Sequence, residues 1–104
     1  MKKEEQILML LKQLQVTMMR LELWQEASPA KDALESTEPF AIDVLAPHEW
    51  LQWVFIPKME SILLHREKLP AGFRMSPYFE ESWKDETHLE SLIVIIRQIE
   101  EACA

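Results

Sequence analysis

The segment EWLQWVFIPKM, residues 49–59, constrains the fold more than any other part of the sequence. Its aromatic and branched residues suit a β-strand that ends at Pro57. Its flanks favour a helix instead, because Pro47 followed by Glu49 resembles a helix start. We therefore predict one helix over residues 47–68. The apolar residues that keep helical spacing across the proline are Leu51, Phe55, Met59 and Ile62.

Pro57 lies inside this predicted helix and removes one of its hydrogen bonds. The carbonyl of Trp53 loses its usual donor, and the proline ring presses against it. We predict a kink at Pro57. Residues 50–56 are apolar nearly all round, which predicts that this half of the helix lies at the centre of the domain.

The two ends of the chain carry apolar stripes at helical spacing. Residues 2–24 predict a first helix that ends near residues 25–27, because Pro29 disfavours a helical residue before it. Asp85 is the predicted N-cap of the last helix. The first stripe comprises Ile7, Leu11, Leu14, Met18 and Leu21. The last comprises Leu89, Leu92, Ile93, Ile96 and Ile99.

Two shorter segments also have helix-start signals. Ser28 followed by Pro29 predicts a short helical turn through residues 30–36. Ser76 followed by Pro77 suits a helix through Trp83, although the sequence alone does not decide between helix and loop there. The loops 36–46 and 69–79 both carry aromatic residues that can anchor them to a core.

A single glycine among 104 residues argues against a β-rich fold and against a phosphate-binding loop. The length predicts one domain, residues 1–104. The predicted fold is an all-α helical bundle with three long helices, one or two short ones and a central helix kinked at Pro57. Cys103 is the only cysteine, so no internal disulfide is expected. No signal peptide and no membrane span are visible, and we predict a cytoplasmic protein.

The net charge of −7 is unevenly distributed. Residues 22–49 carry −6 and residues 80–104 carry −5, whereas residues 1–21 and 50–79 each carry +2. Direct binding to nucleic acid is not expected, because it depends on Lys and Arg replacing counterions at phosphates. An acidic surface suits a basic partner protein.

Three stretches resemble the signature blocks of the YqcC-like family of small bacterial proteins. They are STEPFAID (36–43), PHEWLQWVFIPKM (47–59) and LPAGFRMSPYFE (69–80). The resemblance implies a cytoplasmic helical bundle of a family without an established activity, commonly associated with tRNA pseudouridine synthase C. In the family pattern Asp43 is often followed by Thr, where this chain has Val44.

Asp43 is the only aspartate in a signature block, and pseudouridine synthases use a catalytic aspartate. Its context, FAIDVLAP, lacks the preceding arginine, and the chain lacks the strand signals of their mixed α/β catalytic domain. We interpret Asp43 as an Asx-turn or capping acceptor instead. His48, His65 and His88 share no metal-ligand spacing. We predict no catalytic residue, metal or cofactor; enzymatic activity stays undecided, with a non-catalytic role favoured.

The four tryptophans favour either a filled core or an apolar groove that a bundle of this size cannot cover. Trp50 and Trp53 are three residues apart, which predicts adjacent positions on one helical face. Gln52, Lys58 and Arg74 would form the polar rim, with loops 36–46 and 69–79 at the sides. The candidate groove residues are Phe40, Asp43, Trp50, Gln52, Trp53, Lys58, Phe73, Arg74 and Tyr78.

Three functional hypotheses follow. The first is a non-catalytic interaction module with a protein partner, such as a basic RNA-modifying enzyme, accessory to a tRNA pseudouridine synthase. The second is a small-molecule-binding or enzymatic bundle with Asp43, Gln52 and Tyr78 as polar groups. The third is a homodimer that covers the patch. An enclosed cavity would favour the second, and an open apolar patch would favour a protein partner.

Overall fold

A computed structural model describes residues 2–35 and 45–104. Within these residues every regular element is helical, so the all-α prediction is confirmed. The helices are α1 (Lys2–Arg20), α2 (Lys31–Leu34), α3 (Pro47–Trp50), α4 (Ile56–Leu64), α5 (Ser76–Ser82) and α6 (Glu90–Ala102). A π turn (Leu51–Phe55) joins α3 to α4, and a 3₁₀ turn (Thr87–Leu89) precedes α6. We call the continuous stretch Pro47–Leu64 the central helix.

The core forms where α1 packs against α6 and against α4, and where α5 packs against α6. The predicted stripe of α6 is buried throughout, from Leu89 to Ile99. Ile7, Leu11, Leu14 and Met18 of the α1 stripe are buried as predicted. Apolar residues that recur every three or four positions lie on one face of each helix, so both helices bury that face against the same core.

The first helix is shorter than predicted, because it ends at Arg20 rather than near residues 25–27. Glu22 adopts a left-handed conformation with φ of 62°. The N–H of Leu23 then donates to the Met18 carbonyl at 2.9 Å, and the N–H of Glu22 donates to the Met19 carbonyl at 3.1 Å. These two bonds define a Schellman cap, which terminates the helix before Pro29 has any influence.

The central helix ends in the same way, at Leu64 rather than near residue 68. Arg66 has φ of 54°, and the N–H of Glu67 donates to the Ile62 carbonyl at 2.9 Å. The N–H of Arg66 donates to the Leu63 carbonyl at 3.3 Å. Glycine is the usual residue at such a left-handed position, because a Cβ atom is strained there. The absence of glycine from both caps explains why the sequence did not reveal them.

Pro57 is accommodated by the π turn that precedes it. The N–H of Ile56 donates to the carbonyl of Leu51, five residues earlier rather than four. Pro57 follows this wider turn, so its missing N–H falls where the regular bonding from each residue to the one four before it is already interrupted. We predicted a kink at Pro57, and the structure has a widened turn on the N-terminal side of the proline.

The segment after residue 75 forms α5, which settles the open choice between helix and loop in favour of helix. Phe79 of α5 is fully buried and contacts the rings of Trp50, Tyr78 and Trp83, with centroid distances of 6.2, 5.0 and 5.1 Å. The capping role predicted for Asp85 is wrong. The 3₁₀ turn intervenes, with Glu86 at its N-cap and no side-chain cap bond there.

Loop 36–46 is described only at its end, where Leu45 is buried. The predicted anchor Phe40 and the predicted loop acceptor Asp43 lie outside the described residues. No helix in residues 2–35 or 45–104 is long and apolar enough to cross a membrane.

We predict that Arg66→Gly raises the free energy of unfolding by about 0.5–1 kcal/mol, because glycine relieves the left-handed strain. Arg20→Gly is the matched control, since it makes the same change at an exposed residue with helical geometry. It should lower the free energy of unfolding by about 1 kcal/mol. Urea unfolding followed by circular dichroism measures both; equal losses for the two variants would contradict the cap assignment.

Candidate functional site

An open apolar groove lies between α4 and the segment 68–75. Its volume is about 410 Å³. Three cationic side chains, Lys58, Lys68 and Arg74, also line it. The apolar residues of the groove are Trp50, Phe55, Met59, Ile62, Phe73 and Met75. This surface contains the combination that marks binding sites in general, namely exposed aromatic area beside a few charged groups.

Stacked aromatic rings form the floor of the groove. Trp50 stacks on Phe55 with ring centroids 5.6 Å apart and an interplanar angle of 24°. Phe73 meets Phe55 edge-on at 6.3 Å. Such contacts between aromatic rings fix their orientation as well as burying their area. Trp50 and Phe73 stay half-buried, so part of each ring faces the groove.

The wall formed by residues 68–75 is attached to the end of α6. The Glu100 carboxylate accepts hydrogen bonds from the backbone N–H groups of Met75 and of Ser76, the latter at 2.7 Å. The N–H of Gly72 donates to the Cys103 carbonyl at 3.0 Å, and Gly72 has φ of 72°. Glycine adopts this conformation without strain, which explains the position of the only glycine.

Glu100 is ionised more readily than an ordinary glutamate. Burial raises its pKa, but the hydrogen bonds from Ser76 and Met75 and the charge of Arg74 lower the pKa by more. The net pKa is therefore below the ordinary value of 4.5. A charged carboxylate at the start of α5 also interacts favourably with the free N–H groups of the helix.

The groove is positively charged at its edge although the chain is acidic. Lys58, Lys68 and Arg74 are all exposed. Among the described residues none of the three forms a salt bridge, and no carboxylate lines the groove. Their charges therefore remain available to a bound molecule.

Gln52 and Trp53 face away from the groove and hold the chain that follows α1. The Gln52 side chain accepts from the Gln25 N–H at 2.8 Å and donates to the Gln25 carbonyl at 2.6 Å. The indole N–H of Trp53 donates to the Gln25 side-chain oxygen at 2.8 Å. A buried amide that pairs with both backbone groups of one residue fixes that residue's position.

Glu49 completes this network. Its carboxylate accepts from the Gln25 side-chain amide at 3.0 Å and from the Ala46 N–H at 2.8 Å. The bond from Ala46, followed by the bond from Gln25, lowers the pKa of Glu49 below 4.5. One carboxylate thus joins the start of the central helix to the segment after α1. We call the connected residues Gln25, Glu49, Gln52 and Trp53 the glutamine network.

Two of our predictions for this region are wrong. Gln52 is only 4% exposed, so it is a buried structural group rather than part of a polar rim. Trp50 and Trp53 do not share a face: Trp50 lines the groove, and Trp53 belongs to the glutamine network. A π turn holds more residues per turn than an α-helix, so residues three apart are separated more widely around it.

The remaining predicted residues divide between the groove and its surroundings. Lys58, Phe73 and Arg74 lie in the groove with Trp50. Tyr78 packs edge-on against Phe79 and does not line the groove. Phe40 and Asp43 lie outside the described residues.

Sequence reasoning missed several groove residues that carried a usable signal. Phe55, Met59 and Ile62 belong to the stripe that we assigned to the core, and Lys68 begins the second wall. Gln25 was missed entirely, because no short pattern marks an amide that bonds to residues 24 to 28 positions away.

The titratable groups of the described residues do not assemble into a reactive centre. No group of three His, Cys, Asp or Glu residues there is placed to hold a metal ion. His65 contacts Ser61, and His88 lies 3.6 Å from Glu86. Burial raises the pKa of the Cys103 thiol, which opposes formation of a reactive thiolate. The groove is thus the most developed feature for binding.

A family model matches most of the chain. The model is that of DUF446, described as tRNA pseudouridine synthase C, and it matches residues 6–102. The chain belongs to the DUF446 family. The resemblance to YqcC-like proteins that the signature blocks indicate is therefore confirmed.

Relatives of this DUF446 chain have little assigned to them. An uncharacterised protein of Haemophilus influenzae is 46% identical over 91 residues, which are 88% of this chain and 86% of that protein. The uncharacterised protein YqcC of Escherichia coli is 42% identical over 57 residues, 55% of this chain and 52% of YqcC. A Pectobacterium carotovorum protein named tRNA pseudouridine synthase C is 41% identical over 61 residues, 59% of this chain but only 16% of that protein.

The fold also matches a solved structure. The solution NMR structure of YqcC from Escherichia coli superposes with a TM-score of 0.89 and 28% identity, covering 100% of this chain and 90% of YqcC. The helical bundle is therefore the fold of YqcC.

We predict that Gln52→Leu lowers the free energy of unfolding by about 1–3 kcal/mol, because both backbone groups of Gln25 lose their partner. Gln98→Leu is the control, since Gln98 is exposed on α6. It should change stability by less than about 0.5 kcal/mol. Chemical denaturation measures both, and similar values for the two variants would contradict a structural role of the network.

We also predict that stability falls as the pH drops below about 4.5. The pKa values of Glu49 and Glu100 are lower in the folded chain than in the unfolded chain. The unfolded chain therefore binds protons first, and the stabilisation present near neutral pH is lost as the pH falls through the folded pKa values.

The double variant Glu49→Gln with Glu100→Gln should be less stable than the natural chain at neutral pH and should lose less stability on acidification. Urea midpoints at neutral and acidic pH measure this difference. A double variant with the same pH dependence as the natural chain would show that other groups control acid unfolding.

Proposed function

We propose that this chain is a non-catalytic protein-binding module that works with tRNA pseudouridine synthase C in the bacterial cytoplasm. The observation that carries the proposal is the open aromatic groove beside the core. Tryptophan and other large aromatic residues with part of their surface exposed are enriched at the centres of protein interfaces. A groove that opens to solvent suits a segment of another protein better than an enclosed small molecule.

The contacts that hold the groove walls in place support a binding role for this chain. The floor is held by ring contacts, and the second wall is held by Glu100 and by the Cys103 carbonyl. A site that is already ordered before binding loses less conformational freedom on association. The groove is therefore suited to dock a segment without rearrangement.

The Pectobacterium protein supports the choice of partner. A segment similar to this chain makes up about one sixth of a longer protein named tRNA pseudouridine synthase C. When two modules occupy one chain, each is held at a high effective concentration near the other. Two proteins that exist as separate chains in one organism and as one fused chain in another are candidates for a direct complex. We propose that this chain and the synthase associate non-covalently.

A second candidate is the binding of a small apolar molecule, since a volume of about 410 Å³ is sufficient for one. Of the three polar groups that we predicted for such a site, the two in the described part of the chain do not lie in the groove. Gln52 lies on the other side of the helix and Tyr78 does not line the groove. The protein-binding role is therefore the better supported of the two.

The test is a binding measurement between the purified chain and the synthase of the same organism. We expect a stable complex by isothermal titration calorimetry. Phe73→Ala should weaken it by at least about tenfold, because it removes an aromatic ring from the groove. Leu64→Ala is the control, since Leu64 is 78% exposed on α4 and does not line the groove.

Urea unfolding of both variants checks that they remain folded at the assay temperature. The absence of a complex at both low and high salt would overturn the proposal. So would a Phe73→Ala variant that binds as well as the natural chain. Sedimentation at several concentrations tests whether the groove instead mediates a homodimer, which would also contradict the proposal.

A further inference from the structure

We infer that the groove binds an apolar protein segment that is flanked by acidic residues. This inference rests on the proposed protein-binding function and adds the chemistry of the segment that docks. It also differs from the expectation drawn from net charge alone, which points to a basic partner. The local charge of the groove is opposite to that of the whole chain.

The cations occur on both sides of the apolar floor. Lys58 belongs to α4, whereas Lys68 and Arg74 belong to the segment that forms the other wall. A bound segment whose apolar residues contact Ile62 and Phe73 would therefore have a cation near either edge. Acidic residues on both flanks of the apolar anchors complement this arrangement.

Within the described part of the chain, none of Lys58, Lys68 and Arg74 forms a salt bridge. The charge of Arg74 does act on Glu100, whose pKa it helps to lower. In contrast, Lys84 pairs with Glu81, and Arg97 pairs with Glu80. Unpaired cations beside an apolar surface favour a ligand that supplies carboxylates.

The composition of the groove favours a peptide over a nucleic acid. Besides the aromatic floor, the groove is lined by the apolar side chains of Met59, Ile62 and Met75, which offer no stacking platform for bases. The face of Trp50 that stacks on Phe55 is already occupied. Three cations in a chain of net charge −7 also provide little attraction for a polyanion.

The first experiment is selection of a random peptide library on the full chain. We expect enriched peptides with two or more apolar anchors and Asp or Glu on both flanks. The double variant Lys58→Glu with Arg74→Glu should select peptides with Lys or Arg flanks instead. Lys3→Glu with Lys12→Glu is the control, because it makes the same change in net charge at exposed positions of α1.

The second experiment measures affinity with a labelled synthetic copy of the most enriched peptide. Fluorescence anisotropy should show at least about a tenfold weaker complex with the groove double variant than with the control double variant. The affinity for the natural chain should fall as the salt concentration rises, because the flanking charges are exposed to solvent. A single-stranded RNA of similar length serves as the competing probe.

Several outcomes would overturn this inference. They are a library with no enriched peptides, enrichment without acidic flanks, equal binding by the two double variants, and displacement of the peptide by the RNA. The result is separable from the proposed function. If the groove double variant leaves the synthase complex unaffected, only the inference about acidic flanks is overturned. If acidic peptides bind the groove but no synthase complex forms, only the choice of partner is overturned.

Discussion

The missing backbone N–H of Pro57 is the constraint on which the arrangement of this bundle depends. A regular α-helix would require a donor at that position, and the π turn over Leu51–Phe55 interrupts the regular bonding directly before it. The wider turn separates Trp50 from Trp53 around the helix. One ring then faces the groove and the other reaches Gln25. A local irregularity in hydrogen bonding thus gives the central helix two different faces.

These two faces have different physical roles. On one face, the glutamine network satisfies buried polar groups and attaches the chain after α1 to the central helix. On the other, aromatic area is left partly open between cationic side chains. The hydrogen bonds on the first face favour one position of the chain after α1, because buried polar groups are costly unless every partner is in place. The second face retains apolar surface that the described residues leave partly exposed.

The sequence predicted correctly the helices whose apolar residues recur at regular spacing. The stripes of α1 and α6 predicted which residues are buried, and Ser76–Pro77 located the start of α5. It was insufficient where single conformations decide the outcome. Glu22 and Arg66 end helices in a left-handed backbone conformation that neither residue type favours. No sequence pattern therefore predicted where these two helices end. Four of the predicted groove residues, Trp50, Lys58, Phe73 and Arg74, do line the groove. Gln52 and Trp53 lie on another face of the central helix. The π turn places them there, and the spacing of residues in the sequence does not reveal a π turn.

The attachment of the groove wall to the last turn of α6 links the groove to the terminal residues of that helix. Helix ends open locally far more often than whole domains unfold. Local unfolding at Cys103 breaks the hydrogen bond from the Gly72 N–H to the Cys103 carbonyl. The rate of hydrogen exchange at the Gly72 amide would therefore report how often this part of the wall opens. One wall of the groove is thus attached to a helix end some thirty residues farther along the chain, at Cys103.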